Sequence, residues 1–395
     1  MKRPTLEVAD IIRVAGDSFI ERNGAHLAWP QVKVLRAIRD CRTAALGGHL
    51  DQCSRCGHQA ISYNSCRNRH CPKCQTNARE QWLAKRAEDL LAVSYLHVVF
   101  TLPHDLSALA LQNKKTLYDL LFRASAETLI EIAADPKHLG AQIGFLSVLH
   151  TWGQNLQHHP HVHCVVPAGG IAPDRSHWVH PSTRFFLPVR VLSEVFRGKF
   201  VAGLKRLFRK RKLIFHGSLK SLADSKIFRS FLRQLFWKKW VVYAKRPFGG
   251  PEQVLHYLAR YTHRVAISNH RLVSFQDGQV TFRWKDYAQG NKQRTMTVSA
   301  DEFLRRFLLH VLPRAFVRIR HFGFLTNRNR AKMVPLCRQL LRERLRERSP
   351  TVDHTQASVE WFCPLCAAPM NVIEKLTAQQ IRLRFAEWNS FIDSS

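Results

Sequence analysis

The spacing of the cysteines constrains this chain more than any other feature. Three Cys-x-x-Cys pairs occur, at Cys53/Cys56, Cys71/Cys74 and Cys363/Cys366, where chance placement of ten cysteines in 395 residues gives about a quarter of one such pair. Each pair lets two thiolates reach one ion through a tight turn, and two such turns complete a tetrahedron. The segment CSRCGHQAISYNSCRNRHCPKC therefore predicts a structural Zn2+ held by Cys53, Cys56, Cys71 and Cys74, with Cys66 or His70 able to replace a ligand. Free core cysteines do not explain the clustering among polar residues, and a single redox motif does not explain two adjacent pairs. The tail pair, Cys363 and Cys366, is half of a possible second zinc site, its missing ligands being Cys337, His354 or a histidine elsewhere. The N-terminal MKRPTLEVADII carries acids early and lacks an apolar h-region, so the expected setting is the reducing cytoplasm.

Size and charge narrow the class further. A length of 395 residues predicts two or three domains, and 45% hydrophobic residues with nine Trp and 24 Phe suffice for real cores. With 61 Lys+Arg against 29 Asp+Glu, the net charge of +32 points to a polyanion as partner, either nucleic acid or an anionic membrane surface. No run approaches the roughly 20 apolar residues of a spanning helix. No GxxxxGK[ST] string occurs, which argues against a nucleotide cofactor and an ATP-driven helicase.

Along the chain, residues 1–50 read as helices, including an amphipathic run that opens at Pro30-Gln31 and stops at Gly47-Gly48. A helix over 77–92 follows the cysteine block, then a strand over 97–102 closed by Pro103, and a helix over 115–134. Two strands over 143–151 and 162–167 flank a polar loop. Gly249-Gly250-Pro251 announces another helix, Asp277-Gly278 a hairpin, and Ser299 with Glu302 a capping box that opens a helix ending at Pro313. Arg67, Arg69 and Lys73 interleave with the cysteines, which predicts contact of the zinc module with a phosphate backbone.

Two further segments carry chemistry. A His-x-His alone means little, because 21 histidines produce about one by chance. Here His161-Val162-His163 opens an apolar strand, so both imidazoles share one face and form half of a divalent-ion site with positions left open for substrate. The third ligand is either His150, near the end of the preceding strand, or Gln154 in the loop; the bland alternative is a hydrogen-bonded core pair. Tyr257 and Tyr261 stand four residues apart, hence on one helix face, with Arg260 and Arg264 beside them as candidate phosphate holders. Tyrosines at this spacing are more often half-buried core than nucleophiles. A tyrosine that attacks a phosphate needs a cation nearby to stabilise developing charge, and the histidine pair could hold one.

The segments SCRNRHCPKCQ at 65–75, VVFTLP at 98–103, HTWGQNLQHHPHVHCVVPAGG at 150–170 and YLARYTHR at 257–264 occur in an order that resembles the HUH endonuclease superfamily. With the cysteine-rich N-terminus, the chain is similar to rolling-circle transposases of the insertion sequence 91 family. The resemblance implies an α+β fold: an N-terminal helical zinc-binding domain over 1–95, an HUH nuclease core over 96–325 with a central antiparallel sheet flanked by helices, and a basic C-terminal region over 326–395 with the possible second zinc knuckle. It implies nicking and joining of single-stranded DNA, or hairpin ends of a mobile element, through a 5′-phosphotyrosine link that leaves a free 3′-OH. Tyr257 and Tyr261 become the nucleophile candidates, with Tyr257 favoured if one acts alone, and His161 and His163 the ligands of catalytic Mg2+ or Mn2+. Many related enzymes carry a Lys after the tyrosine; Arg260 or Arg264 stands in that role here. A plasmid replication initiator or relaxase shares this chemistry. A non-catalytic zinc-dependent DNA-binding regulator would leave the histidine strand and the tyrosine pair without purpose.

Overall fold

In the computed structural model, residues 4–75, 82, 88–181, 188–248, 266–286, 289–290, 292–341 and 361–384 are described. Helix α1 (Val8–Asn23) buries Val8, Ile11, Ile12 and Phe19, which recur at helical spacing, and packs on α2 (Trp29–Arg39). The start of α2 is fixed by Gln31, whose side-chain oxygen accepts the Ala28 N–H at 2.9 Å. After it a short 3-10 turn (Ala44–Leu46) leads into β1 (Gly48–Cys53), which forms an antiparallel pair with β2 (Gln59–Tyr63).

β3 (Tyr95–Thr101) then starts the main sheet, followed by the short α3 (Ser107–Gln112) and the long α4 (Lys114–Ala134). β4 (Gly144–Trp152) and β5 (His158–Pro167) occupy its centre, with β5 starting four residues before the apolar run that signals it. A minor pair, β6 (Gly170–Ile171) and β7 (Trp178–Val179), precedes helices α5 (Val189–Arg209) and α6 (Ser225–Trp237). β8 (Val242–Phe248) returns to the main sheet. β9 (Leu272–Gln276), β10 (Gln279–Asp286) and β11 (Lys292–Ser299) make a separate three-stranded sheet, whose first hairpin turns at Asp277 (φ 49°) and Gly278 (φ 70°). Two successive positive φ values match the right-handed twist of the strands, which is why Asp-Gly occurs there. α7 (Ala300–Leu309) begins at Ser299, whose hydroxyl accepts the Glu302 N–H at 3.2 Å. β12 (Ile319–Gly323), α8 (Arg330–Leu340) and β13 (Met370–Leu376) complete the order.

The main sheet is antiparallel throughout, in the order β12-β4-β5-β3-β8. One face packs on α4, α5 and α6: Val98, Phe100, Val162, Cys164 and Val166 meet Phe122, Phe196, Phe200 and Leu232 in the largest core. The opposite face carries the histidines at one end. At the other end it holds an apolar patch of Tyr95, Leu146, Val148 and Val165. α1 and α2 share a second core with β9, β10 and α7, built on Phe19, Leu35, Phe282, Phe303 and Phe307. The tail also returns to the front of the chain, because β13 pairs with β1. No helix among the described residues is long and apolar enough to cross a membrane.

Candidate metal centres and histidine face

The expected four-cysteine set over 53–74 does not assemble. Cys71 and Cys74 instead join Cys41 and Cys66, all four sulfurs lying within 4.8 Å of one another. Cys41 follows the end of α2, and its Sγ accepts the Cys66 N–H at 3.5 Å. The sulfurs of Cys41 and Cys74, and of Cys66 and Cys74, stand 3.6 Å apart, and those of Cys71 and Cys41 3.7 Å. A tetrahedral zinc with Zn–S of about 2.3 Å has sulfur–sulfur edges of about 3.8 Å. The donor set and its spacing therefore fit a structural zinc ion.

Cys53 and Cys56 form a separate group with Cys363 and Cys366, again within 4.8 Å. The tail pair thus meets Cys53 and Cys56, whereas Cys337 is buried beside Val334 and Phe324 in another core and His354 lies outside the described residues. The physical reason is the pairing of β1 with β13, which brings the two turns to one end of a single sheet. His70 is not a ligand of either group. Its Nε2 accepts the Leu312 N–H at 3.2 Å and its Nδ1 lies 3.2 Å from Asn68 Oδ1, while burial pushes it down to about 3, so it is neutral.

Two of the three basic residues assigned to phosphate contact are spent internally. Arg69 donates to the carbonyls of Phe316 at 2.6 Å and Pro313 at 2.7 Å, strapping the zinc loop to the segment after α7. Lys73 forms a largely buried ion pair with Glu7 at the start of α1. Both satisfy buried groups, which alternation of charge with ligand cannot reveal. Arg67, exposed and with φ 51°, remains on the surface.

The sheet assembles the histidines. His161 lies directly opposite His150 in the register between β5 and β4, and His163 follows two residues later on the same face. The three imidazoles lie within 4.8 Å of one another by their candidate ligand nitrogens. His150 is thus the third histidine of the group. The backbone carbonyl of Gln154, in the turn between the strands, accepts from Arg271. His161 Nδ1 donates to the His159 carbonyl at 2.6 Å, which leaves the Nε2 lone pair for a ligand. His163 Nδ1 lies 2.8 Å from Nε2 of His97 on β3, a buried edge-to-edge contact between rings only 3° from parallel. Such outer contacts fix tautomer and ring orientation in metal sites. Burial lowers His161 to about 4 and holds His163 well below the usual imidazole value, so both are neutral, as ligands must be. His97 is marked in the sequence only by its period-2 placement in HVVFTL.

Tyr257, Tyr261, Arg260 and Arg264 lie outside the described residues, as does most of the helix expected over 77–92. Their flanks are fixed. Phe248 pairs with Tyr95 at the end of the sheet away from the histidines, and Ala266 lines a small cavity with Leu149, Thr151 and Trp152 at the histidine end.

A family model described as "Putative transposase" matches residues 144–332, and one described as "Transposase zinc-binding domain" matches residues 11–102. The first range contains the three histidines, the second the group at Cys41, Cys66, Cys71 and Cys74. The chain is 55% identical over 361 residues to "Putative transposase y4qJ" of Sinorhizobium fredii (strain NBRC 101917 / NGR234), covering 91% of this chain and 89% of that protein. It is 28% identical over 355 residues to "Transposase for insertion sequence element IS801" of Pseudomonas savastanoi pv. phaseolicola, covering 87% of this chain and 80% of that protein. No solved structure matches it.

Proposed function

Because the chain belongs to the insertion sequence 91 family of transposases with an N-terminal zinc-binding domain, we propose that it nicks and rejoins single-stranded DNA at the ends of its own element by tyrosine chemistry. The carrying observation is the trio His150, His161 and His163, three imidazoles gathered on adjacent central strands. All-imidazole ligation suits Mn2+ better than Mg2+, which prefers oxygen donors. The ion would supply Lewis acidity toward a phosphate oxygen and orient the scissile group.

The protein residues do the rest. His163 is held by His97 and His161 by the His159 carbonyl, so the ligand nitrogens keep their direction without substrate. Tyr257, or Tyr261, attacks phosphorus with its oxygen: the Tyr O–P bond forms, the bond to the 3′-oxygen breaks, the phenol loses its proton and the leaving oxygen gains one. The second tyrosine takes the next strand transfer. Arg260 and Arg264 hold neighbouring phosphates. Among related chemistries, the match to transposases across nearly the whole chain favours transposition over plasmid initiation.

The test uses end-labelled single strands from the element termini with Mn2+. The wild type forms a denaturation-resistant adduct, and Tyr257→Phe with Tyr261→Phe abolishes it. An adduct that persists in that double variant disproves the tyrosine role. Undiminished adduct in His161→Ala with His163→Ala disproves the metal role.

A further inference from the structure

We infer that Cys53, Cys56, Cys363 and Cys366 hold a second zinc ion, in a ribbon assembled from the two ends of the chain that clasps the C-terminal strand onto the N-terminal module. Both tail cysteines lie beyond the segments that the zinc-binding and transposase family models match. The site stands on its own geometry and does not depend on the nicking reaction.

The two turns are built alike although they are 307 residues or more apart along the chain. In the first, the Cys53 N–H donates to the His58 carbonyl at 2.8 Å and the Gly57 N–H to the Cys53 carbonyl at 3.3 Å. In the second, the Cys363 N–H donates to the Ala368 carbonyl at 2.8 Å and the Ala367 N–H to the Cys363 carbonyl at 2.9 Å. The residue after each second cysteine is left-handed, with φ 70° at Gly57 and 56° at Ala367. Glycine takes that conformation freely; alanine does not, so something must hold the second turn in it. Each turn then hands over to a strand that pairs with β1, namely β2 on one side and β13 on the other. Ser54 ties the turns together, its N–H donating to the Pro369 carbonyl at 3.1 Å.

The sulfur geometry selects a metal over disulfides. Cys53 and Cys366 stand 3.4 Å apart, Cys56 and Cys363 3.6 Å, and Cys366 and Cys56 3.5 Å. A disulfide needs about 2.05 Å, and the edge of a zinc tetrathiolate is about 3.8 Å. Cys53 Sγ also accepts the N–H groups of Arg55 and Cys56, both at 3.4 Å, which stabilises a thiolate. The apolar cluster here, built on Cys53, Cys363 and Met370, is too small to hold a three-stranded ribbon without a further constraint. A metal with two ligands from each chain end supplies it. The group at Cys41, Cys66, Cys71 and Cys74 takes nothing from beyond residue 74, so the two sites fill independently.

The experiment counts zinc in the full chain, in a His161→Ala, His163→Ala background so that the histidine trio does not contribute. Thiol-displaced zinc is read with a chromophoric chelator, and the thiolate-to-cobalt absorbance of the Co2+-loaded protein gives an independent measure. Two ions per chain are expected. Cys363→Ser with Cys366→Ser should leave one ion and half the cobalt absorbance, Cys53→Ser with Cys56→Ser the same, and the four substitutions combined still one. Cys71→Ser with Cys74→Ser should also leave one, which Cys363→Ser and Cys366→Ser then remove. A count of two after substitution of the tail pair, or of one in the unsubstituted thiols, overturns the clasp.

Discussion

Replacing His97 by Phe tests whether the buried contact on β3 sets the affinity of the histidine trio for its ion. Phenylalanine keeps an aromatic ring beside His163 but removes the nitrogen 2.8 Å from His163 Nδ1. In the metal-free protein, neutral His163 escapes part of the loss by moving its proton to Nε2. With Nε2 bound to an ion the proton is confined to Nδ1, buried and without its acceptor. The penalty, about 1–3 kcal/mol for an unmet buried donor, therefore falls mainly on the metal-bound state. That is in line with the 10- to 100-fold typical of outer contacts to a ligating histidine, or about 1.4–2.7 kcal/mol. The assay titrates Mn2+ into the adduct-forming reaction and reads the midpoint. His97→Phe should shift the midpoint upward by 10- to 100-fold while saturating Mn2+ restores most of the rate. His97→Gln, which retains an acceptor oxygen, should recover part of the shift. An unchanged midpoint in His97→Phe would refute the reasoning, since packing alone does not depend on Mn2+.

Three further outcomes follow from the same geometry. Arg69→Ala should cost about 3 kcal/mol of stability through two lost charge-assisted bonds, lowering the melting temperature while DNA affinity of the folded protein stays constant; a selective loss of DNA binding would contradict this. Arg67→Ala should do the reverse, leaving stability intact and reducing the salt slope of single-strand binding by about 0.7, as measured by fluorescence anisotropy at several salt concentrations. His158 and His310 are each lowered to about 3 by burial, so their stabilising contribution is complete above the unfolded value near 6.5 and is lost as pH falls from there toward 3. Each should cost about 2 kcal/mol between pH 7 and 5 in chemical denaturation, and His158→Gln or His310→Gln should flatten that slope; an unaltered slope excludes them as its source.

What the sequence made legible was whatever local geometry determines. The alternation at His161-Val162-His163 placed two imidazoles on one face, and Asp277-Gly278 and Ser299 marked a turn and a cap that the structure contains. The partner of a cysteine pair is a different kind of information. A Cys-x-x-Cys turn states that two sulfurs share an ion, but the other half of the tetrahedron is chosen by strand pairing, here β1 with a strand more than 300 residues later. Cysteine counting held a clue: three pairs plus Cys41 and Cys66 make eight thiols, enough for two tetrathiolate sites, with Cys164 and Cys337 buried elsewhere. The third histidine was one of two candidates because the loop length alone does not set the register that puts His150 opposite His161.

The positive charge bears on the form of DNA that fits. Much of the basic stretch around α7 and β12 is engaged within the fold: Arg305 and Arg306 bind Glu302, Arg320 binds Asp119, and Arg318 donates to Gln75. By contrast Lys205, Arg206, Arg209, Lys210, Arg211 and Lys212 along and after α5, with Arg229 and Arg233 on α6, are exposed. Those helices cover the apolar face of the main sheet, and the histidines occupy the other. A strand held by α5 and α6 would reach the histidines over the β8 edge, because β8 follows α6 directly and ends the sheet among the described residues. Trp237 is 79% exposed there, and Tyr243, opposite Val99 and so on the histidine face, 54%. Both offer rings on which unpaired bases stack. Duplex DNA, with a persistence length of about 50 nm, cannot turn around an edge one strand thick without a large bending cost, whereas a single strand can. The separation of charge from the histidine trio by one sheet thus suits the single-stranded substrate proposed above more directly than the amount of charge does.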